Sequence, residues 1–239
     1  MRAAALLLVV VLLAGCAGGA AQHTPEHVRE TGVLRIALAN VNHWPYFYWD
    51  ENGQPQGIEP EIARNLAQAL GAQAQFVPFV PQSVAEAVDA GAADIGFAGF
   101  ARGALRERQL IETAGHWTRR PFVLTRRGES LPNESILSGR VVYAQPGQVF
   151  HFAEGADLEE AVAMLLDGSA DAFIADEFAA HAAVAQSGEQ LMAELFDSTQ
   201  EHVLVAVMSR RNGALFAFVD EELTRILQDG LVLELAGKY

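Results

Sequence analysis

From residue 32 onward, short apolar runs alternate with amphipathic stretches, and no other feature restricts the fold as much. Val33-Leu34-Arg35-Ile36-Ala37-Leu38 suits a buried strand. Asp50-Glu51-Asn52-Gly53 reads as a turn, because Asn-Gly readily adopts positive φ. A helix follows, with Pro60 at its first position, Ile58, Ile62, Leu66 and Leu70 along one face, and Gly71 as its stop. Residues 76–80 read as the next strand. Ser83 and Glu86 form a capping box for a short helix that stops at Gly91. Strands are expected at 94–97 and 122–124, and residues 125–139 are a polar, turn-rich connection. A second series then begins with a strand at 140–144. Asp157-Leu158-Glu159-Glu160 is a second capping box, for a helix running to Asp167 with Gly168 as its stop. Strand 172–175, helix 177–186, strand 203–208 and helix 214–228 complete the pattern. Repeated βα units imply parallel sheets covered by helices, with ligands bound at the carboxyl ends of strands.

The amino-terminal segment is of another kind. Arg2 precedes an unbroken apolar run over residues 3–14, and the stretch closes on Leu13-Ala14-Gly15-Cys16. That is the layout of a secretory signal. The run is short of the ~20 apolar residues a membrane helix needs. The tetrapeptide resembles the lipobox of bacterial lipoproteins, which implies removal of residues 1–15 and lipidation of Cys16. Residues 16–30 are then expected to be a tether, and the protein to work in the periplasm or cell envelope, held to a membrane through its lipid anchor only.

Composition narrows the partners. The chain has 239 residues, a formal net charge of −14 and a single cysteine. Such an acidic chain has no general positive field for nucleic acid or anionic lipid. One cysteine allows no intramolecular disulfide, so stability rests on the core, for which an apolar share of 51% is ample. No cofactor is implied, and His23 and His27 have no acidic or cysteine partners in a metal pattern.

Several motifs together resemble the periplasmic solute-binding proteins of the polar amino-acid ABC transporter type, bacterial extracellular solute-binding protein family 3. Thr31-Gly32-Val33-Leu34-Arg35-Ile36 resembles the opening strand. Trp44-Pro45-Tyr46-Phe47, Asn52-Gly53 and Gly57-Ile58-Glu59-Pro60-Glu61 resemble the family's "PF…dG…GfdvDl" stretch. Gly99-Phe100-Ala101-Arg102-Gly103-Ala104-Leu105-Arg106 lines up with "GmTiTxxR", and Asp171-Ala172-Phe173-Ile174-Ala175-Asp176 with "DAvvxD". The tail from Gly230 to Tyr239 resembles the closing helix.

The resemblance implies an α/β protein of two lobes joined by a two-strand hinge, with lobe one over 31–124 plus 209–239 and lobe two over 125–208. It implies a monomer that carries an amino acid or other small carboxylate to an ABC permease. Arg106 is the implied carboxylate clamp, since a guanidinium binds a carboxylate through two parallel hydrogen bonds. Asp176 is the implied ammonium acceptor; the same position suits a helix N-cap, and one residue can do both. His43, Trp44, Tyr46 and Phe47 are mainly core, with one ring open to the cleft. Gly99 and Ala101 belong to the same ligand stretch, and Glu61 is expected to support the helix start.

The chain departs from the family at three places. Ala101 and Gly103 stand where hydroxyl donors precede the arginine, which leaves backbone N–H groups for a carboxylate. Glu112-Thr113-Ala114-Gly115-His116-Trp117 lacks the proline of "FSxPY". Gly147-Gln148 falls where a glycine-threonine step opens a helix, and the chain then reaches Asp157 with no room for that helix and the strand after it, so lobe two is shortened. Two other functions fit the same fold. One is a sensory or partner-binding module without transport. The other is a periplasmic dehydratase-like enzyme, for which Glu112, Glu177 or His151 would be the acid.

Overall fold

The computed structural model describes residues 23–105, 108–144, 153–154, 158–196 and 202–238. The elements run α1 (Pro25–Thr31), β1 (Val33–Ala39), β2 (Tyr48–Trp49), β3 (Pro55–Gln56), α2 (Ile58–Ala69), β4 (Gln73–Phe79), α3 (Pro81–Asp89) and β5 (Ile95–Ala101). Next come β6 (Leu110–Glu112), β7 (Trp117–Arg119), β8 (Pro121–Arg126), β9 (Val142–Ala144), β10 (Ala153–Glu154), α4 (Leu158–Asp167) and β11 (Ala172–Asp176). The chain closes with α5 (Glu177–Gln186), β12 (Leu191–Leu195), β13 (His202–Ser209), α6 (Gly213–Gln228) and α7 (Leu231–Lys238).

These elements build two main sheets. The first has the order β4-β1-β5-β13-β6, with β7 also on β13; the second has the order β10-β9-β11-β8-β12. β1 is parallel to β4 and β5, whereas β13 runs antiparallel to β5. In the second sheet β9, β10 and β11 are parallel and β8 is antiparallel to β11 and β12. The two-lobe α/β architecture expected from the sequence is therefore present.

The first lobe holds one large core in which Ile58, Ile62, Leu66 and Leu70 of α2 are all buried. Each such side chain contributes about 1.5–3 kcal/mol. The second sheet buries both faces. Leu124, Phe173 and Ala175 belong to one cluster, and Val123 and Ile174 to another, as the period of two along a strand requires.

Four expectations change. Residues 121–124 belong to the second sheet, and 202–208 belong to the first, so the lobe boundaries move to either side of Arg120 and to the segment between β12 and β13. Apolar runs identify strands but not the sheet they join. Helix α3 starts at Pro81 rather than Ser83 and has no side-chain cap; proline's fixed φ prepares the first turn instead. The shortened second lobe keeps a strand after β9, the two-residue β10 paired with Tyr143 and Ala144.

The last correction concerns the tether. Residues 25–30, expected to belong to the tether, form most of helix α1: Thr24 caps it by accepting the His27 N–H, and Val28 is buried. His23 is fixed as well. Its Nδ1 meets Asp94 Oδ1 and lies 2.7 Å from Arg35 Nη2, while its backbone N–H donates to Asn212. Arg35 donates to both oxygens of the buried Asp94. Burial works to raise the Asp94 carboxyl, but the Arg35 and His23 hydrogen bonds outweigh it and hold it below the ordinary carboxylate range.

Candidate functional site

The site lies where the chain crosses between sheets. One crossing runs from β7 through Arg120 into β8, and β12 and β13 flank it by pairing with β8 and β7 respectively. On the first-lobe side, the loop after β1 carries His43 to Phe47. His43 and Phe47 exchange backbone hydrogen bonds of 2.8 and 3.1 Å, which close the loop. The first N–H groups of α2 then hold it: Ile58 donates to Pro45 and Glu59 to Tyr46. This junction requires Gly57, whose φ is +112° and whose place leaves a Cβ only 2.7 Å from the Pro45 and Tyr46 carbonyl oxygens.

Tyr46 and Phe47 are core residues, and Trp44 is the exposed ring at 37%. His43 packs edge-on against both core rings, with centroids 5.1 and 5.5 Å apart. Gly99, at φ +64°, backs the histidine; a Cβ there would sit 3.5 Å from its Nδ1. Ala101 pairs with Leu204 two residues farther on. The Gly103 N–H, a backbone donor expected to serve a ligand carboxylate, donates instead to Glu112 Oε1 at 2.8 Å. Glu61 pairs with Arg64 along α2.

From the second lobe comes Asp176, at the end of β11 and with no exposed surface. Its Oδ1 accepts from the Ala179 N–H at 3.0 Å, which makes it the N-cap of α5. Its Oδ2 lies 3.7 Å from His43 Nε2, a contact between lobes at ion-pair distance. Arg119 Nη1 stands 3.4 Å from the same nitrogen, and Arg119 is the only buried arginine or lysine among the described residues. Arg120 pairs with Glu177 at 3.6 Å. Sequence reasoning missed Arg119. The available signal was an adjacent pair of arginines leading into an otherwise apolar strand.

These charges surround the Tyr46 phenol. Burial first, then the negative charge of Asp176, pushes its ionisation well above the ordinary tyrosine value; Arg119 opposes this and Glu177 and Glu59 add to it. The phenol therefore remains a neutral donor, and it has no hydrogen-bond partner among the described residues. Nearby, Glu59 and His116 form a second buried pair at 3.1 Å, both without exposed side-chain surface.

An aromatic wall borders the polar cluster. Phe178, in the first turn of α5, contacts Trp117 at 5.4 Å, Tyr46 at 5.8 Å and Trp44 at 6.3 Å between centroids. Outside this wall lies a cavity of about 570 Å³ lined by Trp44, Trp117, Glu177, Phe178 and His181. The structure thus brings His43, Tyr46, Gly99 and Asp176 together, with Trp44 at the rim. Arg106, Gln148 and Cys16, with His151 of the dehydratase reading, lie outside the described residues. Among the described residues no group of three or more histidine, cysteine, aspartate or glutamate side chains is placed to hold a metal ion, and no helix is long and apolar enough to cross a membrane.

Comparison with known proteins gives a consistent result. Residues 34–239 match the family model for bacterial extracellular solute-binding proteins, family 3. The chain is 22% identical over 224 residues to the amino-acid-binding protein AabA of Dichelobacter nodosus, covering 87% of this chain and 88% of that one. It is also 23% identical over 235 residues to the membrane-bound lytic murein transglycosylase F of Photobacterium profundum. That match takes in 90% of this chain but only 45% of the transglycosylase, so the chain spans less than half the length of that relative. Among solved structures, an ancestral cationic amino acid solute binding protein, AncCDT-1, superposes with a TM-score of 0.75 at 20% identity, over 90% of this chain and 98% of that one.

Proposed function

The chain belongs to family 3 of the bacterial extracellular solute-binding proteins, and from that premise we propose that it captures a small carboxylate-bearing solute between its lobes for an ABC importer. One observation carries the reading. The fully buried Asp176 of the second lobe meets His43 of the first at 3.7 Å, beside the buried Arg119. Buried charges are costly unless they are paired, so a polar cluster at a lobe junction is better suited to a polar guest than to packing. AabA, an amino-acid-binding protein by name, supports the same class of solute. Arg106 enters through the motif resemblance as the carboxylate clamp. In this reading Cys16 carries the lipid anchor, and a Cys16→Ser form appears in the soluble fraction of a cell lysate while the unmodified form sediments with membranes.

A solute that binds only the closed, folded state stabilises it by about 2.7 kcal/mol at a concentration one hundred times its Kd. For a chain of this size that is a rise in Tm of about 5–10 °C. The test is a thermal-shift screen of the purified protein against amino acids and organic acids. The expected outcome is a shift with at least one of them that Arg106→Ala removes. Cooperative melting with no shift from any member of the set sinks the reading.

One observation favours a second function, a partner-binding module. Phe178 joins the lobes through three aromatic contacts that involve no solute. A closed scattering profile that is indifferent to every solute, with a stable protein partner, would select it. The dehydratase reading draws no support from the described acids: Glu112 is engaged by the Gly103 N–H and Glu177 by Arg120.

A further inference from the structure

At the lobe junction two arginines and two acids come close together. Asp176 is the partner of Pro121 in the antiparallel pairing of β11 with β8. Arg119 and Arg120 are the two residues immediately before Pro121, and Asp176 is followed by Glu177. Continued one step, that antiparallel register sets Arg120 opposite Glu177, with Arg119 one residue farther along at the same junction. The side chains complete the match. Arg120 Nη2 lies 3.6 Å from Glu177 Oε2, and Arg119 and Asp176 reach the same His43 nitrogen at 3.4 and 3.7 Å. Asp176 also accepts the Ala179 N–H and lies at the positive end of the ten-residue helix α5.

Resting on the solute-capture reading, we propose that Arg119 occupies the role of a ligand ammonium, so that the site takes an organic anion without an amino group, an α-hydroxy acid or a related carboxylate. The asymmetry lies in donors and acceptors. A guanidinium has five N–H donors, so Arg119 can serve an internal acid and a guest carboxylate together. An incoming ammonium finds Glu177 already paired with Arg120, and Asp176 already capping α5 and facing His43, and it meets the buried Arg119 as a like charge. A hydroxyl in the same position carries no such repulsion. The carboxylate is common to both ligand classes, so the amino group alone decides between them.

The test uses the purified full-length protein and calorimetric titration with the proteinogenic amino acids, each paired with the α-hydroxy acid of the same side chain. The expected result is that at least one hydroxy acid binds about tenfold or more tightly than its amino counterpart, and that Arg119→Gln reverses the preference by a similar factor. Asp176→Asn keeps an N-cap acceptor but removes the charge; it frees Arg119 and tightens the hydroxy acid several-fold, which keeps the question answerable if Arg119→Gln does not fold. An amino acid that binds the unmodified protein more tightly than its hydroxy partner, or a hydroxy acid lost with Asp176→Asn, overturns this inference and leaves solute capture standing. Silence from both series overturns both.

Discussion

Asp94 is the single side chain on which the amino-terminal end of the described structure turns. It accepts both nitrogen forks of Arg35 and the imidazole of His23, and it is itself almost fully buried. Its carboxyl is depressed in the folded protein. A depressed acid contributes stability that is complete above the unfolded carboxylate range near pH 4 and is lost as pH falls through its lower folded value. Asp94→Asn is therefore expected to cost about 2 kcal/mol at neutral pH, where charged hydrogen bonds are lost. Melts of the two proteins should converge in acid; a gap that stays constant from neutral to strongly acid solution would refute this. Tyr46→Phe tests the opposite situation. The phenol is buried without a hydrogen-bond partner among the described residues, so removing it is expected to raise Tm by about 2–4 °C. A fall in Tm would refute it. At this scale the sequence disclosed some of the site and concealed the rest. Asp176 and Trp44 stand out because motif and position single them out. Arg119 and the Asp94 cluster do not, because their partners lie far along the chain: Arg119 and His43 are separated by 76 positions, and Asp94 and Arg35 by 59.

Elements were more legible than residues wherever one periodicity dominates. The four-residue spacing of Ile58, Ile62, Leu66 and Leu70 announces α2, and all four are buried. The capping-box motif from Asp157 predicts a helix there, and α4 begins at Leu158, with Asp157 itself outside the described residues. Two elements escaped. The seven residues of α1 are polar apart from Val28 and a proline, so no apolar stripe marks them; tertiary bonds from His23 and the Thr24 cap hold them instead. β12, Leu-Met-Ala-Glu-Leu, has no β-branched residue and owes its extended form to antiparallel pairing with β8. The junction between α2 and the site loop yields a prediction of its own. Gly57→Ala forces a Cβ into the Pro45 and Tyr46 carbonyls and strains a backbone at φ +112°. It is expected to cost about 3 kcal/mol and to displace His43 and Trp44 with the loop. Unchanged melting together with unchanged solute affinity would contradict it.

For the whole molecule, what matters is how the two sheets are joined. Phe178 belongs to the second lobe but packs against the core of the first. Phe178→Ala is expected to favour the separated form, seen as a larger radius of gyration by solution scattering, with a stability loss below the about 3 kcal/mol of a fully buried phenylalanine. An unaltered scattering profile would show that Phe178 does not hold the lobes together. The second sheet is inserted between β7 and β13, both of which belong to the first. Helices α1 and α7 likewise join the first core, through Val28, Val232 and Leu235. The His23–Asp94–Arg35 cluster fastens residue 23 to that same body. In the solute-capture reading the first lobe is then the stator and the second the moving jaw. Force applied through residue 23 would be borne by the first lobe and bypass the crossing segments on which opening and closing depend.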